Sequence, residues 1–304
     1  MKNFEYLAPR TLREAVRLLA EKGEEARVLA GGTDLIVQMR NRRRQPERVV
    51  DVKQIPDLNQ ITYTARKGLR IGAAVPCHQI YRDAEVVARY PGLVDAAIII
   101  GGIQIQGRAS LGGNLCNSSP SGDTIPALIA YGAVAEIAGP QGPREVAVED
   151  FCTAPGQNVL RPGELLVALR LPTPDKHTGA HYLRFIPRNE MDIAVVGTGA
   201  CVELAKRGKE FKAARIALAA VAPTPLFARQ ASEMLAGQPV SAEAIAEAAE
   251  AAKAIARPIT DMRGTAEFRL HLVGVLTRRA LQGAVKRARG EFVANAVQEN
   301  GHIH

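Results

Sequence analysis

The chain has 304 residues, 47% of them apolar and 23% charged, with 27 glycines, no tryptophan and a formal net charge of +8. That balance supplies core enough for about two domains and excludes a disordered or fibrous chain. No apolar run approaches the roughly 18 residues of a membrane span, the first residues carry no secretory apolar stretch, and Cys77, Cys116, Cys152 and Cys201 form no Cys-x-x-Cys pair, so a reducing cytoplasm is the expected compartment.

Thr11-Leu-Arg-Glu14 is a capping box, with Leu12, Ala15, Val16 and Leu19 along one face of the helix it opens and Gly23 at its stop. A short strand is expected over 27–30, then a Gly31-Gly32 turn, then the first turns of a helix over 33–40. Residues 49–52 read as a strand, and 61–64 with 69–73 as a hairpin about Arg66-Lys67-Gly68. Helical stretches are expected over 76–89 and 91–99, an irregular crossing over the glycine-rich run 108–123, and a short helix over 125–131. Strands are expected at 133–138, 145–148 and 165–171 before Pro172-Thr-Pro174 punctuates the chain. Beyond it come strand patterns at 181–186, 192–204 and 215–222, helices near 226–236, 241–255 and 265–287, and a disordered tail at 298–304.

Two glycine-rich runs carry the chemistry. In Leu29-Ala30-Gly31-Gly32-Thr33-Asp34-Leu35, free turn amides and a helix start make an anion site to which Thr33 adds a hydroxyl. Asp34 would repel a phosphate unless it caps amides or faces a ribose, and a plain turn capped by Thr33 or Asp34 is the alternative. In Ser110–Asp123, Gly112 and Gly113 free the backbone for close approach, while Ser110 and Asn114 supply donors. Asp123 opens a short helix, where it either accepts from ribose or ribityl hydroxyls or serves as a simple N-cap. Two such bends suggest a large phosphorylated cofactor held from two sides.

Other motifs are weaker. Val196-Gly-Thr-Gly-Ala200 fails as a dinucleotide fingerprint, because Val202 stands where the third glycine belongs, and it reads better as a strand. There is no Gly-x-Ser-x-Gly elbow, Walker loop or His-Glu-x-x-His, and the histidines are scattered, so neither a catalytic triad nor a metal site is expected. Basic residues gather at Arg40, Arg42, Arg43, Arg44 and Arg48 and at Arg278, Arg279, Lys286, Arg287 and Arg289. With aromatics at 4% and no stacking platform, they read as solvated surface or a partner face rather than a nucleic-acid site.

Ala30-Gly-Gly-Thr-Asp34, the run Ala109–Leu128, Arg188-Asn-Glu-Met-Asp-Ile-Ala194 and Pro258-Ile-Thr-Asp-Met-Arg263 together resemble the FAD-binding (medium) subunit of the molybdenum hydroxylases. That group includes the flavoprotein subunits of aerobic carbon monoxide dehydrogenase and of bacterial xanthine or nicotinate dehydrogenases. The resemblance covers nearly the whole chain, in the family's order. It implies an α+β protein: a PCMH-type (vanillyl-alcohol-oxidase-like) FAD-binding domain of two α/β subdomains, about 1–55 and 56–175, then a smaller C-terminal α+β domain at 176–290 and a flexible tail at 291–304.

The resemblance implies FAD as cofactor. Leu29, Ala30, Gly31, Gly32, Thr33, Asp34 and Leu35 would wrap its pyrophosphate, and Ile100, Gly101 and Ile105 would line it from the second subdomain. Ala109, Ser110, Gly113, Asn114, Cys116, Asn117 and Gly122 would form the second clamp, Asp123 would hold polyol hydroxyls, Leu166 would pack on the cofactor and Arg184 would lie near the flavin. The inserted cysteine cluster of the hydroxybenzoyl-CoA reductase branch is missing. The implied function is electron transfer within a dimer of heterotrimers, from a molybdopterin-binding large subunit through the 2Fe–2S clusters of a small subunit to FAD and an external acceptor. A stand-alone PCMH-type flavin oxidase and a nucleotide-binding module without redox activity are the alternatives.

Overall fold

The computed structural model describes residues 1–188 and 191–295. Thr11 caps the first helix as its spacing requires: its hydroxyl accepts from the Glu14 amide at 3.2 Å, and the helix Leu12–Lys22 stops at Gly23, where φ is 52°. Ala15, Leu18 and Leu19 bury one face of this helix against Val50 and Val52. The strands beneath form a parallel three-stranded sheet in the order Glu5–Leu7, Arg48–Asp51, Ala26–Leu29.

A second, antiparallel sheet runs Ile61–Thr64, Gly68–Gly72, Leu165–Leu171, Val134–Gly139, Gly142–Ala147. Its helices Pro91–Ala97, Leu111–Asn117 and Thr124–Ala130 place Leu93, Leu111, Leu115, Ile125 and Leu128 in one core with Leu69, Ile71 and Leu169. A third sheet, again antiparallel, runs Thr178–Phe185, Val196–Ala205, Glu210–Ala219, Leu226–Phe227. Helices Ala242–Ile255 and Ala266–Ala288, capped by Ser241 and Thr265, cover one side of it.

The other side of that sheet meets the earlier helices at van der Waals limits. A Cβ on Gly92 would lie 2.9 Å from the Ala180 Cβ, and one on Gly199 would lie 2.7 Å from the Pro126 carbonyl oxygen. Tyr182 and Ala217 from the third sheet join the core cluster of the second. The mixed helix-and-sheet class is thus the one expected. Val196-Gly-Thr-Gly-Ala200 is strand, and its glycines serve packing.

Three local expectations change. The run 108–123 is not an irregular crossing: it contains the helix Leu111–Asn117, started by Ser110, whose hydroxyl accepts from the Gly113 amide at 3.0 Å. Gly112 sits where a Cβ would be 2.4 Å from the Ala73 carbonyl oxygen, so packing demands this glycine despite its poor helix propensity. The stretch 76–89 splits into Cys77–Ile80 and Ala84–Arg89, because Asp83 accepts from the Val86 amide and caps a new helix. The stretch 226–236 becomes the strand Leu226–Phe227 and the helix Arg229–Glu233. The expected tail at 298–304 lies outside the described residues. Among the described residues, no helix is long and apolar enough to cross a membrane.

Candidate cofactor site

The two glycine runs are held against each other. Arg108 donates from Nε to the Gly31 carbonyl at 3.1 Å and from Nη2 to the Ala30 carbonyl at 3.0 Å. Gln38 Nε2, from the helix Leu35–Arg40, donates to Asn117 Oδ1 at 3.0 Å. The approach is so close that a Cβ on Gly31 would stand 2.2 Å from the Arg108 carbonyl oxygen. Gly32, at φ +82°, turns the chain into the helix, while Asp34 occupies the N-cap position without a side-chain hydrogen bond to the helix amides. The plain capped turn is therefore not what Asp34 makes.

The helix Leu111–Asn117 divides into two faces at the spacing a 3.6-residue period dictates. Leu111, Gly112 and Leu115 are buried on the core side. Gly113, Asn114 and Asn117 are half-buried on the other, in line with the capping Ser110. Gly113 differs from Gly112 and Gly31: a Cβ there would meet Ser110 Oγ at 3.1 Å and nothing else within 4 Å. Asn114 Oδ1 accepts from both the amide and the hydroxyl of Thr124, at 3.3 and 2.8 Å. Its NH2 group is then the half that remains for a ligand. Burial pushes the Cys116 thiol up to about 12, so Cys116 is no thiolate nucleophile, and its carbonyl accepts from Asn158.

Asp123 is not the simple N-cap that is one of its two readings. It precedes the helix Thr124–Ala130 but makes no side-chain cap; Asn114 does that work. Its carboxylate instead crosses to the third sheet, accepting from Tyr182 Oη at 2.8 Å and from Arg184 Nη1 at 2.6 Å. Burial raises its proton affinity, opposed by the Arg184 charge and the Tyr182 hydroxyl.

Nearby, Ile100 is buried and Gly101 turns at φ +55°, where a Cβ would be 2.3 Å from Ile105 Cδ1. Ala109 is buried and its carbonyl accepts from the Cys77 amide, and Gly122 packs within reach of Ile125 and Asn114. Leu166 is buried in the core of the second sheet, beside a register shift between Leu166 and Ala168.

Comparison with known proteins gives these features a family. Residues 2–174 match the model described as "FAD binding domain in molybdopterin dehydrogenase", and residues 181–284 match "CO dehydrogenase flavoprotein C-terminal domain". The chain belongs to the FAD-binding subunits of the molybdopterin dehydrogenases.

Within that family, it is 36% identical over 288 residues to the carbon monoxide dehydrogenase medium chain of Afipia carboxidovorans, covering 94% of this chain and 98% of that one. It is 33% identical over 283 residues to the xanthine dehydrogenase FAD-binding subunit of Escherichia coli O157:H7, covering 93% and 96%. Its fold superposes on reconstituted CO dehydrogenase from Oligotropha carboxidovorans with a TM-score of 0.90 at 34% identity, covering 94% of this chain and 99% of that chain. As a member of an FAD-binding oxidoreductase family, the chain has in Gly113 an open place on a helix face bearing Ser110, Asn114 and Asn117, and this fits a cofactor backbone.

Sequence reading missed the residues that join the two runs and the two domains. Arg108 is the first residue of the second glycine-rich run and Gln38 lies outside both runs, and a lone arginine or glutamine carries no signal of a distant carbonyl partner. Tyr182 sits in an ordinary strand pattern. Arg48 also leaves the basic segment to which sequence assigned it: its side chain is 10% exposed, bonded to Glu5 and Glu21. Arg287 likewise turns inward to Asp95, so each basic cluster is smaller at the surface than its count suggests.

Proposed function

We propose that this chain is the FAD-carrying electron-transfer subunit of a molybdenum hydroxylase complex, receiving electrons from the 2Fe–2S clusters of a small subunit that is fed by a molybdopterin-binding large subunit, within a dimer of heterotrimers, and passing them to an external acceptor. The observation that carries this reading is the pairing of loop 29–35 with the helix face Ser110, Gly113, Asn114, Asn117, tied by Arg108 and Gln38. Amides of the first loop and of the helix start would take the pyrophosphate, where partial positive charge collects. Asp123, with a lone pair left on each oxygen, would accept from polyol hydroxyls. Ile100, Gly101 and Ile105 would wall the ring system, Leu166 would back it, and Arg184 would add a positive charge near it. Bound FAD supplies the electron storage; the chain's own part is to bind it, orient it and set its electrostatic surroundings.

The test is reduction by substrate. The assembled complex should carry one FAD per copy of this chain and reduce it when the large subunit's substrate is added, whereas the isolated flavin-loaded chain should stay oxidised under the same treatment. Substrate-driven bleaching of the isolated chain would mean a stand-alone oxidase and would overturn the proposal.

Asp123→Ala should act twice. Losing a charged acceptor is expected to weaken FAD by about 1–3 kcal/mol, roughly 5- to 150-fold in a flavin fluorescence titration. Leaving Arg184, 7% exposed, without its carboxylate should also destabilise the fold by about 3 kcal/mol in denaturant unfolding. Unchanged affinity would remove Asp123 from the site.

The exposed arginines Arg40, Arg42 and Arg43 flank this region on the surface and are assigned to partner contact. Reversing all of them to glutamate should reduce recovery of partner subunits in co-purification and leave the FAD content of the chain as it was. Undiminished recovery would return them to plain solvated surface.

A further inference from the structure

Tyr182 has no place in the cofactor contacts above, yet it is 2% exposed and spends its hydroxyl on the Asp123 carboxylate. Strand alternation puts Tyr182 and Arg184 on one face of Thr178–Phe185, and both reach the same carboxylate, one to each oxygen. The neighbouring strand reserves space for this. Gly197 pairs with Arg184 in register, and a Cβ on Gly197 would stand 2.6 Å from the Tyr182 hydroxyl oxygen. The backbone of Tyr182 is fixed as well: its amide donates to Asp95 Oδ2 at 3.1 Å, and Asp95 also holds His181 and Arg287. A phenol has thus been placed with no freedom to bond elsewhere.

The consequence falls on Asp123. A carboxylate this enclosed favours the protonated form unless donors offset the lost water, and a free rotamer would present its oxygens differently in each position. Tyr182 and Arg184 take one lone pair of each oxygen from the third-sheet side and leave the other for a ligand. We propose that Tyr182 is a positioning residue for the cofactor, acting through Asp123 by fixing its rotamer and by keeping Arg184 aligned beside it. This rests on the FAD reading above. It makes flavin binding and the docking of the C-terminal domain share a single carboxylate.

The test uses the full chain, with FAD dissociation constant, flavin midpoint potential and Tm measured together. Tyr182→Phe should weaken FAD by about ten- to a hundredfold and shift the midpoint potential. The control is Glu149→Gln, which removes the charge and one of the two acceptors from the interdomain ion pairs of Glu149 with Arg215 and Arg229, elsewhere on the same interface. It should lower Tm while keeping FAD affinity within about twofold and the potential unmoved, since sites without shared partners act independently. If Tyr182→Phe does not fold, Gly197→Ala reaches the same hydroxyl with a single methyl and should give the same pair of changes.

Wild-type affinity and potential in Tyr182→Phe would overturn the proposal, whatever its Tm. So would a Glu149→Gln protein showing both flavin changes, because docking alone would then explain them. A wild-type chain that takes up no FAD at all overturns the cofactor reading itself, and this proposal with it.

Discussion

Leucine at position 113 is expected to give a folded protein that no longer retains FAD. Gly113 lies inside the helix Leu111–Asn117, where leucine is the better helix former by about 0.8 kcal/mol. A Cβ there meets only Ser110 Oγ, at 3.1 Å, a contact that a shift of a few tenths of an ångström relieves. Even loss of the Ser110 cap on the Gly113 amide would cost only about 1 kcal/mol, close to the propensity gained. The empty protein should therefore unfold at or near the wild-type temperature. The remaining side-chain atoms must go where the helix face is open, which is the ground assigned to the cofactor's pyrophosphate. Affinity should fall by more than about 100-fold, the cost of a steric block exceeding about 2.7 kcal/mol. Flavin absorbance after refolding with FAD, read beside a thermal melt, checks both halves. A yellow Gly113→Leu protein would mean that this face does not hold the nucleotide.

Valine at Gly31 should fail in another way. Gly31 has no positive φ to excuse it; what excludes a side chain there is the Arg108 carbonyl oxygen, 2.2 Å from where the Cβ would sit. A backbone oxygen cannot swing aside as a side chain can, so the loop must move and the hydrogen bonds from Arg108 to Ala30 and Gly31 must stretch. Overpacking of this kind costs about 3 kcal/mol, or roughly 6–12 °C in Tm for a domain of this size. Flavin retention should be lost together with stability. A Gly31→Val protein with wild-type Tm would show that contact between the loops does not support the fold. The pair of variants thus separates a glycine kept for packing within the chain from one kept open for a ligand.

How far the sequence alone reaches depends on how local the cause is. Caps at Thr11, Ser241 and Thr265 act within a turn; the first is legible from its spacing, and the helices opened by the other two begin where the sequence pattern places them. The hairpin at 66–68 likewise follows from Gly68, at φ +79°, between alternating strands. The glycine-rich helix is not legible as a helix, because the glycines argue against one, and the packing that demands Gly112 comes from Ala73, far along the chain. Asp123 is the clearest case of a position that is visible in sequence but has an unreadable role. Its place before a helix suggests a cap, yet Asn114 caps and Asp123 reaches Tyr182 and Arg184. Partners separated by that much chain leave no periodicity to read. The family resemblance, by contrast, rests on short contiguous runs and is visible before any fold, although the close approaches those runs make, Gly31 with Arg108 and Gly112 with Ala73, join residues distant in the chain.

The most direct measurement is a crystal structure of the flavin-loaded chain or its complex. The pyrophosphate should lie between the amides of Gly31–Thr33 and the helix face of Ser110, Gly113 and Asn114, with Asp123 bonded to a polyol hydroxyl while still holding Tyr182 and Arg184. Density for the nucleotide anywhere else, or these loops apart and facing solvent, would contradict it.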